Sequence, residues 1–128
     1  MKYILKTTYL FLFINLACFA QEKKCTDFKI GKFIYSKPEY KRFKVTRTET
    51  TQIEIDSVTG IVLEGSIEWK SECVYELTYT KISNQNMSSM LGQKLKSEII
   101  KISGNNIICK TEGVGMVLEL EMTKVDSN

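Results

Sequence analysis

The sequence predicts an all-β fold, built as an antiparallel meander of about eight strands. Apolar and polar residues alternate with a period of two along most of the chain, which is typical of strands with one buried and one solvated face. Turn-forming residues interrupt the alternating runs at short intervals. After the N-terminal segment, no long stretch has the apolar spacing of an amphipathic helix.

Residues 1–20 are predicted to be a secretory signal peptide. Lys2 and Lys6 form a positively charged start, and the run Tyr9–Ala20 is apolar and ends in small residues. This run has 12 residues, whereas a membrane-spanning helix needs about 20. No second apolar run of this kind follows, so the sequence predicts a secreted or periplasmic protein.

The most natural cleavage site follows Ala20, which makes Gln21 the first residue of the mature chain. Residues 21–128 then form a single all-β domain of 108 residues. The alternative is a lipoprotein anchored through Cys18, because "NLAC" partly resembles a lipid-attachment motif. Asn15 stands where that motif expects leucine, which favours ordinary cleavage.

In the first half of the chain, strands are predicted at residues 28–35, 42–48, 51–56 and 61–70. In the first of them, Phe28 and Ile30 share one face, whereas Phe33 and Tyr35 fall on the other. Gly31 lies at the switch and predicts a bulge or a sharp bend. The fourth strand is the most regular, and its predicted inward face consists of Ile61, Leu63, Gly65, Ile67 and Trp69.

In the second half, strands are predicted at residues 73–82, 95–102, 106–110 and 114–123. "SGNN" at 103–106 and "TEG" at 111–113 are predicted turns. The segment 83–93 is expected to be a mobile rim, either a flexible loop or one turn of helix. The predicted inward residues are Cys73, Tyr75, Leu77 and Tyr79 in the fifth strand and Val114, Met116, Leu118, Leu120 and Met122 in the last.

Short strands joined in sequence must close on themselves or pack as two sheets, because an unpaired strand edge pairs readily with other chains. A meandering barrel of lipocalin-like character is therefore the first expectation for this chain. A β-sandwich is the alternative that the same pattern allows.

The stretch "IEWKSECVYEL" at 67–77 is predicted to be a hairpin in which aromatic side chains stack on one face. A reactive Cys73 is disfavoured, because the chain has no histidine to activate a thiolate. The aromatic residues are interpreted mostly as core, with lining of a ligand cavity as the alternative. The candidates are Phe33, Tyr35, Trp69, Tyr75 and Tyr79.

Charge and composition argue against several classes of function. Without Lys2 and Lys6 the chain has 16 basic and 15 acidic residues, and a net charge of +1 gives no electrostatic footprint for nucleic acid. The absence of histidine and of C-x-x-C pairs argues against zinc, and there is no phosphate-binding loop. Asp56 alone is far short of a calcium site. We therefore predict no cofactor, no metal and no nucleic-acid partner.

The acidic residues of the predicted fourth and fifth strands do not fit a glycosidase-type carboxylate pair. Glu64, Glu68 and Glu76 fall on the predicted solvated faces, whereas acid–base catalysis needs a carboxylate in a desolvated cleft. The sequence therefore predicts no catalytic residue.

Three cysteines follow the predicted signal peptide, which allows one disulfide and leaves one thiol in an oxidising compartment. Cys25 and Cys73 both lie at the ends of predicted strands, where two chain segments can meet. A Cys73–Cys109 bridge is the competing arrangement and would link two strands directly. If Cys25 pairs with Cys73, Cys109 is predicted to be a free cysteine with a small buried side chain.

Two motifs carry a resemblance to a known family. "CTDFKIGKF" fits C-x2-F-x2-G-x-F through Cys25, Phe28, Gly31 and Phe33, and residues 67–77 fit I-x-W-x3-C-x-Y-x-L. Together they resemble a family of short secreted proteins from Bacteroidetes-type bacteria, over most of the mature chain. The resemblance implies secretion and the Cys25–Cys73 pairing, and it implies no mechanism.

Two classes of function remain open from the sequence. The first is a secreted, non-enzymatic binding module whose barrel mouth accepts an apolar small molecule or a protein partner. The second is a small secreted hydrolase or isomerase with an unrecognised carboxylate site. The lack of histidine, the exposed acids and the lack of a nucleophile motif favour binding. An apolar cavity of a few hundred Å³ would indicate a ligand, and a filled interior would indicate protein contact.

Overall fold

The computed structural model describes residues 22–126, which form a closed barrel of eight antiparallel strands in chain order. The predicted signal peptide 1–20, its alternative at Cys18 and the new terminus Gln21 lie outside the described residues. Each strand pairs with the next, and the last pairs with the first, so the barrel prediction is confirmed and the sandwich is not formed. The strands are β1 Gly31–Tyr35, β2 Phe43–Arg47, β3 Thr51–Asp56, β4 Val62–Trp69, β5 Val74–Ile82, β6 Lys94–Ser103, β7 Asn106–Gly113 and β8 Met116–Asp126.

Helical structure within residues 22–126 is limited to two short 3₁₀ segments, Cys25–Phe28 and Gln85–Met90. The second lies within segment 83–93, for which the sequence allowed either a flexible loop or one turn of helix, and it has six residues. In this part of the chain, no helix is long and apolar enough to cross a membrane.

The N-terminal 3₁₀ helix closes one end of the barrel. Phe28 is completely buried at this end, beside Phe33, Val45 and Ile107. The predicted strand 28–35 was therefore too long: β1 starts only at Gly31, and residues 25–28 are helical. The predicted bend is present, because Gly31 has a φ of 142°, a left-handed conformation that favours glycine.

A disulfide anchors this closing helix to the barrel. It joins Cys25 in the helix to Cys73, which directly precedes β5, with a separation of 48 residues in sequence. The predicted pairing is confirmed, and Cys109 is a free, buried thiol in β7. Trp69 packs on Tyr75 beside this bridge, with the ring centroids 4.8 Å apart.

The opposite end of the barrel, which we call the open end, is formed by the connections β1–β2, β3–β4, β5–β6 and β7–β8. The prediction for its last hairpin was wrong in two respects. Residues 111–113 belong to β7 instead of forming a turn, and the turn is made by Val114 and Gly115, both with positive φ. Val114, Met116 and Leu118 are exposed although predicted to face inward.

The exposure of these side chains has a structural cause. Strand β1 pairs with β8 only from Met122 to Asp126, so the first half of β8 extends past the end of β1. Leu120 and Met122 lie where β8 still borders the barrel interior and are more buried. The β7–β8 hairpin therefore carries apolar side chains beyond the packed core.

Candidate functional site

The barrel interior contains a cavity of about 80 Å³. The apolar part of its lining is formed by Leu77, Leu95, Leu120 and Met122, together with the thiol of Cys109. The remaining wall is polar to a degree unusual for a protein interior, because it includes three tyrosines, an amide, a carboxylate and two hydroxyls. These residues are Tyr35, Tyr75, Tyr79, Gln52, Glu54, Ser97 and Thr111.

Strand pairing between β2 and β3 places polar side chains inside the barrel. The turn after Arg47 sets a register in which Arg47 faces Gln52 and Val45 faces Glu54. Directly paired residues project to the same face of a sheet, so Gln52 and Glu54 point inward with Val45. The apolar neighbour Ile55 consequently points outward and is 43% exposed.

Arg47 is the largest fully buried side chain of the barrel and has only 1% of its surface exposed. Its guanidinium lies between two aromatic rings, with Cζ 4.7 Å from the centroids of both Phe33 and Tyr75. It donates hydrogen bonds to Gln52 Oε1 at 3.0 and 3.1 Å, to the Phe28 carbonyl at 3.0 Å and to the Tyr75 hydroxyl at 3.0 Å. These contacts fix the guanidinium beneath the cavity and leave it little capacity for another partner.

Gln52 connects this cation to a buried carboxylate. Its amide oxygen accepts from Arg47, and its amide nitrogen donates to Glu54 Oε1 at 2.7 Å. The Tyr35 hydroxyl lies 3.4 Å from the same Oε1 and donates a longer hydrogen bond to it. Glu54 Oε2 accepts no hydrogen bond from any residue of the described chain, although only 8% of Glu54 is exposed.

Burial shifts the pKa values of the groups that line the cavity. Desolvation raises the pKa of Glu54, and the hydrogen bond from Gln52, the charge of Arg47 and the hydrogen bond from Tyr35 oppose this shift. Desolvation also raises the pKa values of Tyr35, Tyr75 and Tyr79, so all three remain neutral hydroxyls. Burial also raises the pKa of the Cys109 thiol, which favours the thiol over the more reactive thiolate.

We expect the stability of Glu54→Gln relative to wild type to increase as the pH rises from acidic to neutral. A raised pKa means that the unfolded chain loses the Glu54 proton before the folded chain does, so wild-type stability falls as pH rises from the ordinary glutamate pKa to the raised one. The amide of the variant carries no proton that titrates in this range and escapes this loss. Urea unfolding of both proteins between acidic and neutral pH should show the difference growing with pH. A difference that is constant or shrinks would contradict the assignment.

Five aromatic residues were predicted to be core residues or to line a ligand cavity, and the structure shows both locations. Tyr35, Tyr75 and Tyr79 line the cavity, and Phe33 is a core residue under Arg47. Trp69 lies outside the cavity at the closed end, where Lys29 Nζ is 5.0 Å from its ring. Its buried Nε1 has no hydrogen-bond partner among the described residues.

Sequence reasoning missed three polar residues inside the barrel: Gln52 and Glu54, which line the cavity, and Arg47, which lies next to it. A signal was present, since Gln52, Glu54 and Asp56 alternate with isoleucines, but the pattern favours the isoleucines as the inward face. Asp56 has a structural role: Arg42 binds it at the open end, and it accepts hydrogen bonds from Val58 N and Thr59 Oγ1.

The β5–β6 connection and the β7–β8 hairpin carry apolar side chains at the open end. Met87 and Met90 of the second 3₁₀ helix pack against the cluster that contains Tyr79 and Leu77. The other members are more exposed, and we define the apolar rim as Met87, Met90, Leu91, Val114, Met116 and Leu118.

In comparisons with family models, curated proteins and solved structures, nothing matches this chain. Within residues 22–126, no group of three or more acidic or cysteine side chains is arranged to hold a metal ion. The cavity therefore has to be interpreted from its own chemistry.

Proposed function

We propose that this protein is an extracytoplasmic binding module that holds a small molecule in the barrel cavity. The observation that carries the proposal is the pair of polar atoms in the cavity wall without a partner in the described chain, Glu54 Oε2 and the Tyr79 hydroxyl. Both atoms stay accessible from the cavity, since Trp69 Nε1 is the one fully enclosed side-chain polar atom without a partner among the described residues. They are therefore free to form hydrogen bonds with a molecule inside the cavity. A bound ligand would supply these partners.

The cavity volume restricts what can bind. Pockets for drug-sized ligands usually measure about 300–1,000 Å³, whereas this cavity measures about 80 Å³. Only a very small compound, or the polar head of a larger one, fits inside. If the ligand is larger, its apolar part would lie outside the cavity on the apolar rim.

The disulfide supports the proposed location. Disulfides persist in oxidising compartments such as the periplasm or the extracellular medium. The Cys25–Cys73 bridge is therefore compatible with the secretion that the N-terminal segment predicts.

Blocking the cavity should abolish binding. Leu120→Trp introduces a large side chain into the cavity wall, whereas Val117→Trp makes a similar change on the exposed side of the same strand. A ligand that binds only the folded protein raises its melting temperature. In a thermal-shift screen of small metabolites, we expect hits that are shared by wild type and Val117→Trp and lost in Leu120→Trp. A screen without hits, or hits kept in Leu120→Trp, would refute the proposal.

An enzyme is the second candidate, and Glu54 is the observation that favours it. A carboxylate with a raised pKa, hydrogen-bonded to a tyrosine in a cavity, has the environment of a general acid or base. Mass spectrometry of the screening hits after prolonged incubation distinguishes the candidates. A binding module returns its ligand unchanged, whereas conversion that is lost in Glu54→Gln would establish a hydrolase or isomerase.

A further inference from the structure

We propose that the ligand of the cavity carries a primary ammonium group, which donates to Glu54 Oε2 and lies against the tyrosine rings. This inference rests on the proposed function, because it names the chemical class that the same cavity accepts. Four features of the cavity support it: the free acceptor, the position of Arg47, the aromatic wall and the size.

The cavity offers an acceptor that has no donor in the described chain. An ionised carboxylate can only accept hydrogen bonds, and Oε1 of Glu54 already receives those of Gln52 and Tyr35. Oε2 receives none from the described residues, so the complementary ligand group carries N–H or O–H. An anionic ligand is disfavoured because it would meet the charge of Glu54 at close range.

Arg47 does not compete for this role. Its guanidinium lies outside the cavity lining, and its donors are directed to Gln52, Tyr75 and the Phe28 carbonyl. The amide of Gln52 lies between the two charged groups, so the carboxylate has no direct cationic contact among the described residues. A buried carboxylate without such a contact is costly, and an ammonium group would relieve this cost.

Three aromatic residues line the cavity that contains this carboxylate. Tyr35, Tyr75 and Tyr79 all line the cavity together with Glu54. Ring faces attract cations through their quadrupole, and the attraction is larger in a desolvated site. A carboxylate combined with aromatic rings therefore favours an organic cation over a neutral donor such as an alcohol.

Size and hydrogen bonding favour a primary ammonium over a quaternary one. A quaternary ammonium has no N–H to donate to Oε2, and its methyl groups fill a larger volume. A primary ammonium on a short unbranched chain fits the cavity of about 80 Å³ and leaves the chain directed to the apolar rim.

The test compares four probes with the same butyl chain: n-butylammonium, 1-butanol, butyrate and butyltrimethylammonium. Isothermal calorimetry on the full mature protein, at constant ionic strength and mildly alkaline pH, measures each affinity. We expect n-butylammonium to bind best, and to lose about tenfold or more in affinity in Glu54→Gln, as expected for a lost charged hydrogen bond. Glu64→Gln removes the same charge from the outer face of β4 and should bind like wild type.

A second variant covers the case in which Glu54→Gln alters the fold, which near-ultraviolet circular dichroism would reveal. Tyr79→Phe keeps the ring and removes the unpartnered hydroxyl, and it should retain the preference for n-butylammonium over 1-butanol. Equal affinity for these two probes, or equal loss in Glu54→Gln and Glu64→Gln, would overturn the ammonium assignment. If metabolites without an amine still bind in a manner blocked by Leu120→Trp, the proposed function stands and only the ligand class is wrong.

Discussion

Replacing Cys25 with serine is expected to lower the free energy of unfolding by about 4 kcal/mol, the value of the chain-entropy model for a loop of this length. The disulfide closes a loop between residues 48 apart in sequence. It also holds the 3₁₀ helix that inserts Phe28 into the closed end of the barrel. Terminal segments fray unless they are tied down, so loss of the bridge should expose this end first.

Urea denaturation of oxidised wild type and Cys25→Ser measures the difference. Cys109→Ala is the matched control, because it removes the free buried thiol and keeps the bridge. We expect this control to lose far less stability than Cys25→Ser, and hydrogen exchange to rise mainly in residues 25–33 of the serine variant. If both variants lose the same stability, the disulfide does not anchor the helix as described.

Arg47→Met is expected to lower the free energy of unfolding by about 3–5 kcal/mol, as is typical when one member of a buried charged network is removed. Methionine can fill much of the space between Phe33 and Tyr75, so packing is largely preserved. The hydrogen bonds to Gln52, Tyr75 and the Phe28 carbonyl are lost, and these groups remain buried without that donor. Glu54 also loses the positive charge nearest to it in the network.

A double variant tests how much of this loss comes from the electrostatic interaction between Arg47 and Glu54. Arg47→Met combined with Glu54→Gln removes both charges, so the double variant should be more stable than the sum of the single effects predicts. Lys44→Met, on the exposed face of β2, is the control and should change stability by no more than about 0.5 kcal/mol. Strict additivity in this cycle would show that Arg47 and Glu54 do not interact through Gln52.

Much of the fold was predictable because a strand repeats every two residues, and this period is readable from local sequence. The alternation in β4 and β5 predicted the inward residues Leu63, Ile67, Tyr75 and Leu77 correctly, since both strands have one dry and one wet face. Eight such runs joined by short connections predict a meander that must hide its edges, and the barrel does so by pairing β1 with β8.

Local pattern failed where a strand extends past its neighbour. Met116 and Leu118 continue the alternation of β8, yet they are exposed because β1 ends before it reaches them. Val114 is exposed because it lies in the turn before β8. An apolar strand face is buried only where a neighbouring strand or the barrel core covers it. That depends on the relative lengths of the paired strands in the folded barrel. The apolar rim at the open end could therefore not be predicted from the sequence.

The all-β meander and most of the inward-facing residues can be read from the amino-acid pattern, because a period of two follows from backbone geometry alone. The polar chemistry of the interior depends instead on how the strands pair. The register between β2 and β3 turns Gln52 and Glu54 inward and Ile55 outward, against the hydrophobic preference of that strand. The physical reason is that Arg47, buried between two rings, needs polar partners, and the side chain paired with it across the strands provides them.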